Sequence, residues 1–168
     1  MQSNNDEDPK KGYVLIEGGK INITAGEDGI QAETNAFVKD GDITINTGGG
    51  SANAISKKGD MGGPSIERQA DTKAADITVS TTSEEESAST KAIKAGVNIV
   101  TEGGTFNLDA CDDGMHSNNN LVVNGGNFNI SSGDDGMHSD STLTINSGTI
   151  NIIKSYEGIE SETITINI

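Results

Sequence analysis

ACDDGMHSNN (110–119) and SGDDGMHSDS (132–141) are two copies of one motif, and their glycines, Gly114 and Gly136, lie 22 residues apart. Weaker copies occur along the chain as a small residue followed by an apolar residue. The small residues are Gly29, Ala54, Ala92, Gly114, Gly136 and Gly158, and the apolar residues after them are Ile30, Ile55, Ile93, Met115, Met137 and Ile159. A motif that recurs at a fixed short period indicates a solenoid, in which each repeat forms one coil and stacks on the next.

Each repeat also contains a short segment in which apolar and polar residues alternate, as in KINI (20–23) and NFNI (127–130). Alternation with a period of two places successive side chains on opposite faces of a β-strand. The apolar set, which would face a common core, is Ile21, Ile23, Ile43, Ile45, Phe106, Leu108, Phe128, Ile130, Ile150 and Ile152. Three short strands per coil of about 22 residues predict an all-β fold, a parallel β-helix.

The repeats define the expected domain organisation. We expect residues 1–11 to form a flexible N-terminal segment and residues 12–168 to form a single β-helix domain. Residues 57–91 do not repeat, are polar, and predict an inserted loop between the second and third coils. The chain ends in ETITINI (162–168), which reads as the first strand of another coil. An exposed β edge can pair with another molecule, so end-to-end self-association into a fibre is one hypothesis.

The composition is strongly acidic. The chain has 26 acidic and 11 basic residues, for a net charge of -15, which argues against nucleic acid as a partner because phosphates would be repelled. The same charge favours cations, or partners that are bridged by cations. No apolar run approaches the roughly 20 residues of a membrane-spanning helix.

Acidic residues are concentrated in the turns before four of the six small–apolar pairs, at Glu27-Asp28, Asp112-Asp113, Asp134-Asp135 and Glu157. Stacked coils would align these carboxylates, and like charges repel, so the column needs a counter-charge. Lys154 is the nearest basic residue by sequence, and a hard divalent cation such as Ca²⁺, which accepts oxygen ligands in flexible geometry, fits the site. The candidate metal ligands are Glu27, Asp28, Asp112, Asp113, Asp134, Asp135, Asp140 and Glu157. Alternatively, these carboxylates point into water and terminate turns.

Two further groups of residues are candidates for ligand binding. His116 and His138 fall in one column, Gln31, Ser56, Lys94, His116, His138 and Glu160, where they could ligate a transition metal or simply face solvent. The outward side of the second strands carries a mostly uncharged array that includes Asn107, Asn129 and Asn151, which could hydrogen-bond a sugar chain or could stabilise the stack as amide ladders.

Several stretches resemble a family of secreted bacterial carbohydrate-binding β-helix proteins, of the type that binds cellulose and polygalacturonate. The resemblance rests on GYVLIEGGKINITAGEDGIQAET (12–34), DDGMHSDSTLTIN (134–146) and KSYEGIE (154–160). It implies a right-handed parallel β-helix with bound calcium, an extracellular or cell-surface location and a polysaccharide partner. The family is in turn similar to family 9 pectate lyases, in which an Asp cluster holds the catalytic Ca²⁺ and a Lys is the base.

The resulting functional hypothesis is an extracellular calcium-binding module for acidic plant polysaccharide, cellulose or both, without enzymatic activity. A solenoid subunit of an extracellular fibre and a pectate-lyase-like enzyme are the alternatives. In the lyase alternative Lys94 or Lys154 would have to act as the base, and no motif assigns either. Binding to ice or to another regular surface is a further alternative.

Overall fold

The structure, a computed structural model, describes residues 1–5, 7–8, 10–54 and 89–167. In chain order its strands are β1 (Gln2–Ser3), β2 (Val14–Ile16), β3 (Lys20–Ala25), β4 (Ile30–Ala32), β5 (Asn35–Val38), β6 (Asp42–Thr47), β7 (Ile93–Ala95), β8 (Asn98–Thr101), β9 (Thr105–Ala110), β10 (Met115–Ser117), β11 (Asn120–Val123), β12 (Asn127–Ser132), β13 (Met137–Ile145), β14 (Thr149–Lys154) and β15 (Ile159–Ile166). One short 3₁₀ turn, Ser51–Asn53, accompanies them, and the described residues contain no α-helix.

The strands confirm the predicted parallel β-solenoid. Every coil contributes a first, a second and a third strand, and each strand pairs in parallel with its counterpart in the next coil. The second strands alone form a five-stranded sheet in the order β14-β12-β9-β6-β3, which counts five coils. The long strands β13 and β15 each continue the third strand of one coil into the first strand of the next, and they join the other two ladders into one sheet.

The core is formed by the inward side chains that the alternation predicted. Phe106 and Phe128 are fully buried and stack on each other with ring centroids 4.4 Å apart. Ile43 and Ile45 continue this stack towards the N-terminus in the register of the second strands. The apolar residues of the outermost second strands, Ile21, Ile23, Ile150 and Ile152, are partly buried against this core because each has a described neighbour on one side only.

The third strand of coil 2 lies elsewhere than predicted. Ile30 of coil 1 pairs directly with Ile93, so β7 completes coil 2, and the predicted copy at 54–56 does not lie between them. The prediction was wrong because a small–apolar dipeptide carries too little information to fix register. β7 leads through a two-residue turn into β8, the first strand of coil 3. Ile55, Ser56 and residues 57–88 of the predicted insert lie outside the described residues.

The insert therefore leaves coil 2 between its second and third strands. Its first part, residues 48–54, crosses the ends of three later second strands, and we call it the crossing segment. The Ser51 backbone N–H donates to Asp109 Oδ1 in coil 3 at 2.7 Å, and Lys154 in coil 5 donates to the Ser51 carbonyl. Ala54 lies against coil 4, with its Cβ 2.2 Å from the position that a Cβ on Gly133 would take.

The N-terminal end of the solenoid carries an added strand, and its C-terminal end presents an apolar surface. Residues 1–11, for which we predicted flexibility, contribute β1, which pairs with β4 in the register Gln2–Gln31. At the other end, Ile145, Ile150, Ile152, Ile159 and Ile166 line an apolar surface, and end-to-end stacking stays a prediction. Among the described residues no helix is long and apolar enough to cross a membrane.

Candidate functional site

An open cavity of about 420 Å³ lies along the turns that join the second and third strands of coils 3 to 5. Glycine makes these turns close enough to stack, because a Cβ on Gly114 would lie 2.6 Å from the Gly136 carbonyl oxygen and 2.5 Å from Ile130 Cγ2. The residues before each glycine and the first residues after it therefore meet their counterparts one coil away. The cavity is lined by Lys91, Asp113, His116, Asp134, Asp135, His138, Tyr156, Glu157 and Glu160.

The corrected register puts a lysine into the acidic column. The Ile30–Ile93 and Ile93–Met115 pairings align Asp28, Lys91 and Asp113, with Asp135 and Glu157 in the following coils. The carboxylates of Asp28 and Asp113 each accept a hydrogen bond from a backbone N–H of the next coil. Asp28 Oδ1 accepts the Lys91 N–H at 2.9 Å, and Asp113 Oδ1 accepts the Asp135 N–H at 3.0 Å.

Lys91 supplies the counter-charge in coils 2 and 3. Its ammonium group donates to Asp112 Oδ2 and lies 3.2 Å from Asp113 Oδ2, and its side chain is only 13% exposed. Burial opposes this charge, but Asp113 and Asp112 outweigh it and raise the pKa of Lys91. Burial likewise opposes ionisation of Asp113, yet the hydrogen bond to His116 and the charge of Lys91 lower the pKa of Asp113 to about 2.

Sequence reasoning missed Lys91 because the predicted register placed residues 52–53, not 90–91, beside the first acidic turn. Lys154, the basic residue named in its place, donates to the Ser51 carbonyl and does not line the cavity. Asp28 accepts from Ser89 Oγ at 2.8 Å and lies 3.8 Å from Lys94 Nζ. Glu27 is exposed at the same turn.

The two histidines stack in the predicted column, with ring centroids 4.6 Å apart. His116 Nδ1 lies 2.8 Å from Asp113 Oδ2, and its Nε2 lies 3.2 Å from Asn118 Oδ1. The corresponding atoms of His138 lie 3.0 Å from Asp135 Oδ2 and 3.0 Å from Asp140 Oδ1. Both rings are thus oriented by a partner on each nitrogen.

His138 has a further acidic neighbour, since its Nδ1 also lies 2.9 Å from Glu160 Oε2 in coil 5. Burial alone would lower the pKa of His138, but the hydrogen bonds to Asp135 and Asp140 raise it. Burial and the nearby Glu160 carboxyl raise the pKa of Asp135 to about 7. Negative charge therefore exceeds positive charge in the part of the cavity that coils 4 and 5 form.

Within the part of the chain that the structure describes, three groups of side chains have ligand atoms within 4.8 Å of one another and could hold a metal ion: Asp112 with Asp113 and Asp134, Asp135 with His138 and Glu160, and His116 with His138 and Asp140. These groups contain five of the eight predicted metal ligands. Glu157 lines the same cavity without belonging to a group. The role of each residue as a ligand stays a prediction.

The predicted amide array lies on the outward face of the second-strand sheet. Asn107, Asn129 and Asn151 are in register, and each of the latter two donates from its amide nitrogen to the oxygen of the asparagine before it at 3.2 Å. One donor and one acceptor of the central amide are thereby used within the ladder. The array stabilises the stack, and its role in sugar binding stays a prediction.

The fold and the cavity together define a parallel β-solenoid with carboxylate and imidazole clusters that could hold a metal ion. Residues 1–136 match the model of a family described as carbohydrate-binding domain-containing protein, and the chain belongs to this family. No curated protein and no solved structure matches the chain.

Proposed function

We propose that this chain is an extracellular, non-catalytic module that binds acidic polysaccharide, of the polygalacturonate type, through calcium. The observation that carries the proposal is the composition of the cavity, which brings together five carboxylates and a single lysine. Membership of a carbohydrate-binding family supports the class of ligand.

The excess of carboxylates supports a divalent cation as the link between protein and polymer. A protein with a net charge of -15 repels a polyuronate, so direct binding is unfavourable without a cation. Ca²⁺ accepts six to eight oxygen ligands, from side chains, backbone carbonyls and other molecules. Asp134 and Glu157, which line the cavity, are our candidates to share the ion with sugar carboxylates.

The arrangement of the lysines supports binding without catalysis. Elimination from a uronate needs a base that is unprotonated near neutral pH. Lys91, which lies in the cavity, has a raised pKa and is held as an ammonium ion by Asp112 and Asp113. Lys94 lies beside Asp28, and Lys154 is bound to the Ser51 carbonyl. None of these lysines has the environment of a general base.

The test is calorimetric titration with oligogalacturonate in calcium and then in a chelator. We expect binding in calcium and at least about tenfold weaker binding in the chelator, because the bridging ion is lost. The double variant Asp134→Asn, Glu157→Gln should show a similar loss in calcium. Glu102→Gln, which removes a charge at an exposed residue between β8 and β9 that does not line the cavity, is the control and should bind normally.

Two outcomes would contradict the proposal. Equal affinity in calcium and chelator would exclude a cation bridge. Accumulation of unsaturated uronate, detected by its ultraviolet absorbance, would show lyase activity and favour the enzyme alternative.

A further inference from the structure

His138 is surrounded by three carboxylates that all present oxygen acceptors to its ring. Its Nδ1 faces Asp135 Oδ2 at 3.0 Å and Glu160 Oε2 at 2.9 Å, and its Nε2 faces Asp140 Oδ1 at 3.0 Å. If the Nε2 proton is donated to Asp140, the Nδ1 lone pair points towards two carboxylate oxygens. Three electron-rich atoms then converge on one point, an arrangement that a cation stabilises.

The geometry of these three atoms fits a small divalent ion. Metal–nitrogen and metal–oxygen distances for Zn²⁺ are about 2.0 to 2.2 Å, so neighbouring ligands in the tetrahedral geometry that Zn²⁺ prefers lie about 3.4 Å apart. The separations between Nδ1 and the two oxygens, 2.9 and 3.0 Å, are shorter than that spacing by about half an ångström, so the two carboxylates need to move only slightly to admit the ion. A histidine that binds a metal through one nitrogen usually donates its other N–H to a carboxylate, which is the position of Asp140.

A second observation concerns the other oxygen of Asp135. The Asp135 residue is only 4% exposed, and its Oδ1 is buried without a hydrogen-bond partner in the described part of the chain. The equivalent oxygens of Asp28 and Asp113 each accept a backbone N–H from the next coil. A buried carboxylate oxygen without a partner costs free energy, and a metal ion bound by both oxygens of this carboxylate would relieve that cost.

The coil-3 copy of the site serves as an internal comparison. There His116 and Asp113 make the same ring contact, but Lys91 Nζ lies 3.2 Å from Asp113 Oδ2 and supplies positive charge. In the coil-4 copy Glu160 takes the place next to the ring, and it adds negative charge. The carboxylate of this motif therefore has a lysine beside it in coil 3 and a second carboxylate near it in coil 4.

We infer that Asp135, His138 and Glu160 form a binding site for a divalent transition metal ion of the Zn²⁺ class, with Asp140 orienting the imidazole. Asp135 and His138 belong to coil 4 and Glu160 to coil 5, so the ion would join two coils. An imidazole ligand favours Zn²⁺ and its neighbours over Ca²⁺, which prefers oxygen. The inference goes beyond the proposed function, because it requires neither calcium nor polysaccharide.

The test is titration of the metal-free full chain with ZnCl2 by calorimetry, without polysaccharide. We expect one tight ion per chain, at least tenfold weaker binding for His138→Gln, and about tenfold weaker binding for Asp140→Asn, which removes an outer partner. Glu102→Gln is the matched control for the loss of a carboxylate, since it changes an exposed residue that does not line the cavity, and it should bind Zn²⁺ as the unmodified chain does. Substituted Co²⁺ should show visible absorption bands that His138→Gln abolishes.

Three results would overturn the inference. Unchanged Zn²⁺ affinity in His138→Gln would exclude the histidine, and equal losses in His116→Gln and His138→Gln would place the ion between the two rings. Displacement of Zn²⁺ by an equimolar amount of Ca²⁺ would show an oxygen site. If His138→Gln does not fold, Glu160→Gln, at an exposed residue, provides the same test. Oligogalacturonate binding, measured separately, succeeds or fails independently of these results.

Discussion

Gly136 shows how a single residue sets the distance between coils at the cavity. It lies in the column of small residues, and a Cβ at this position would lie 2.5 Å from the Gly158 carbonyl oxygen and 2.8 Å from Ile152 Cδ1. The backbone oxygen cannot move without disturbing the next coil. The column was predictable from sequence because only residues without a large side chain can occupy it, and that restriction repeats with the coil.

Gly136→Ala should therefore destabilise the protein. We expect a loss of about 1 to 3 kcal/mol in the free energy of unfolding, the usual cost of forcing an extra methyl group into a packed site. Urea unfolding measures it. Gly26→Ala is the matched control, because nothing lies within 4 Å of its added Cβ, and it should be neutral or slightly stabilising. Equal effects of the two substitutions would show that the contact at Gly136 is relaxed at little cost.

At the scale of elements, the strands with five registered copies were predictable and the third strand of coil 2 was not. The second strands each bury two alternating apolar residues, and a shift of one residue would expose both, so their register is specified by burial. The third strands have only three residues in β4, β7 and β10, and a similar dipeptide at 54–55 imitates them. The position of Lys91 in the acidic column followed from that register and could not be obtained without it.

Lys91→Met tests the link between the insert and the cavity. Removing one partner of a buried ion pair leaves an uncompensated charge, here on Asp112 and Asp113, and typically costs about 3 kcal/mol or more. Added Ca²⁺ should restore more stability to this variant than to the unmodified chain, because the ion can occupy the position that the ammonium group leaves. Thermal unfolding with and without Ca²⁺ measures both effects.

Lys94→Met is the control for that experiment. Its ammonium group lies 3.8 Å from Asp28 and is more exposed than that of Lys91, so the loss should be smaller and Ca²⁺ should restore less. Identical responses of the two variants to Ca²⁺ would mean that the Lys91 position is not a cation site.

For the whole molecule, the acidic composition and the buried carboxylates make stability depend on pH. Asp113 has a pKa lowered from 3.8 to about 2, so its stabilising contribution is present above pH 4 and is lost as the pH falls towards 2. Asp135 has a pKa raised from 3.8 to about 7, so its contribution is present at low pH and is lost as the pH rises towards 7. His138, with a pKa raised above 6.5, also stabilises the fold when protonated and loses that contribution at higher pH.

We therefore expect the metal-free protein to be most stable near pH 4 and to lose stability on both sides of that value. Urea unfolding midpoints from pH 3 to 8 in a chelator would record the curve. Asp135→Asn should flatten the decline between about pH 4 and 7, because an amide does not ionise in a buried site, and should leave the decline below pH 4 unchanged. A metal-free midpoint that rises steadily up to pH 8 would contradict the direction of the Asp135 shift.

The crossing segment changes how this solenoid should respond to a mechanical load. Stacked coils usually contact only their neighbours, so a pulling force on one end can peel them away one after another. Here residues 48–54 depart from coil 2 and touch coils 3, 4 and 5 through Asp109, Gly133 and Lys154. Detaching coil 5 also requires breaking its bond to a segment that is anchored three coils away. Tension applied at the C-terminal end is therefore transmitted through the crossing segment to coils 2, 3 and 4 as well as to coil 5.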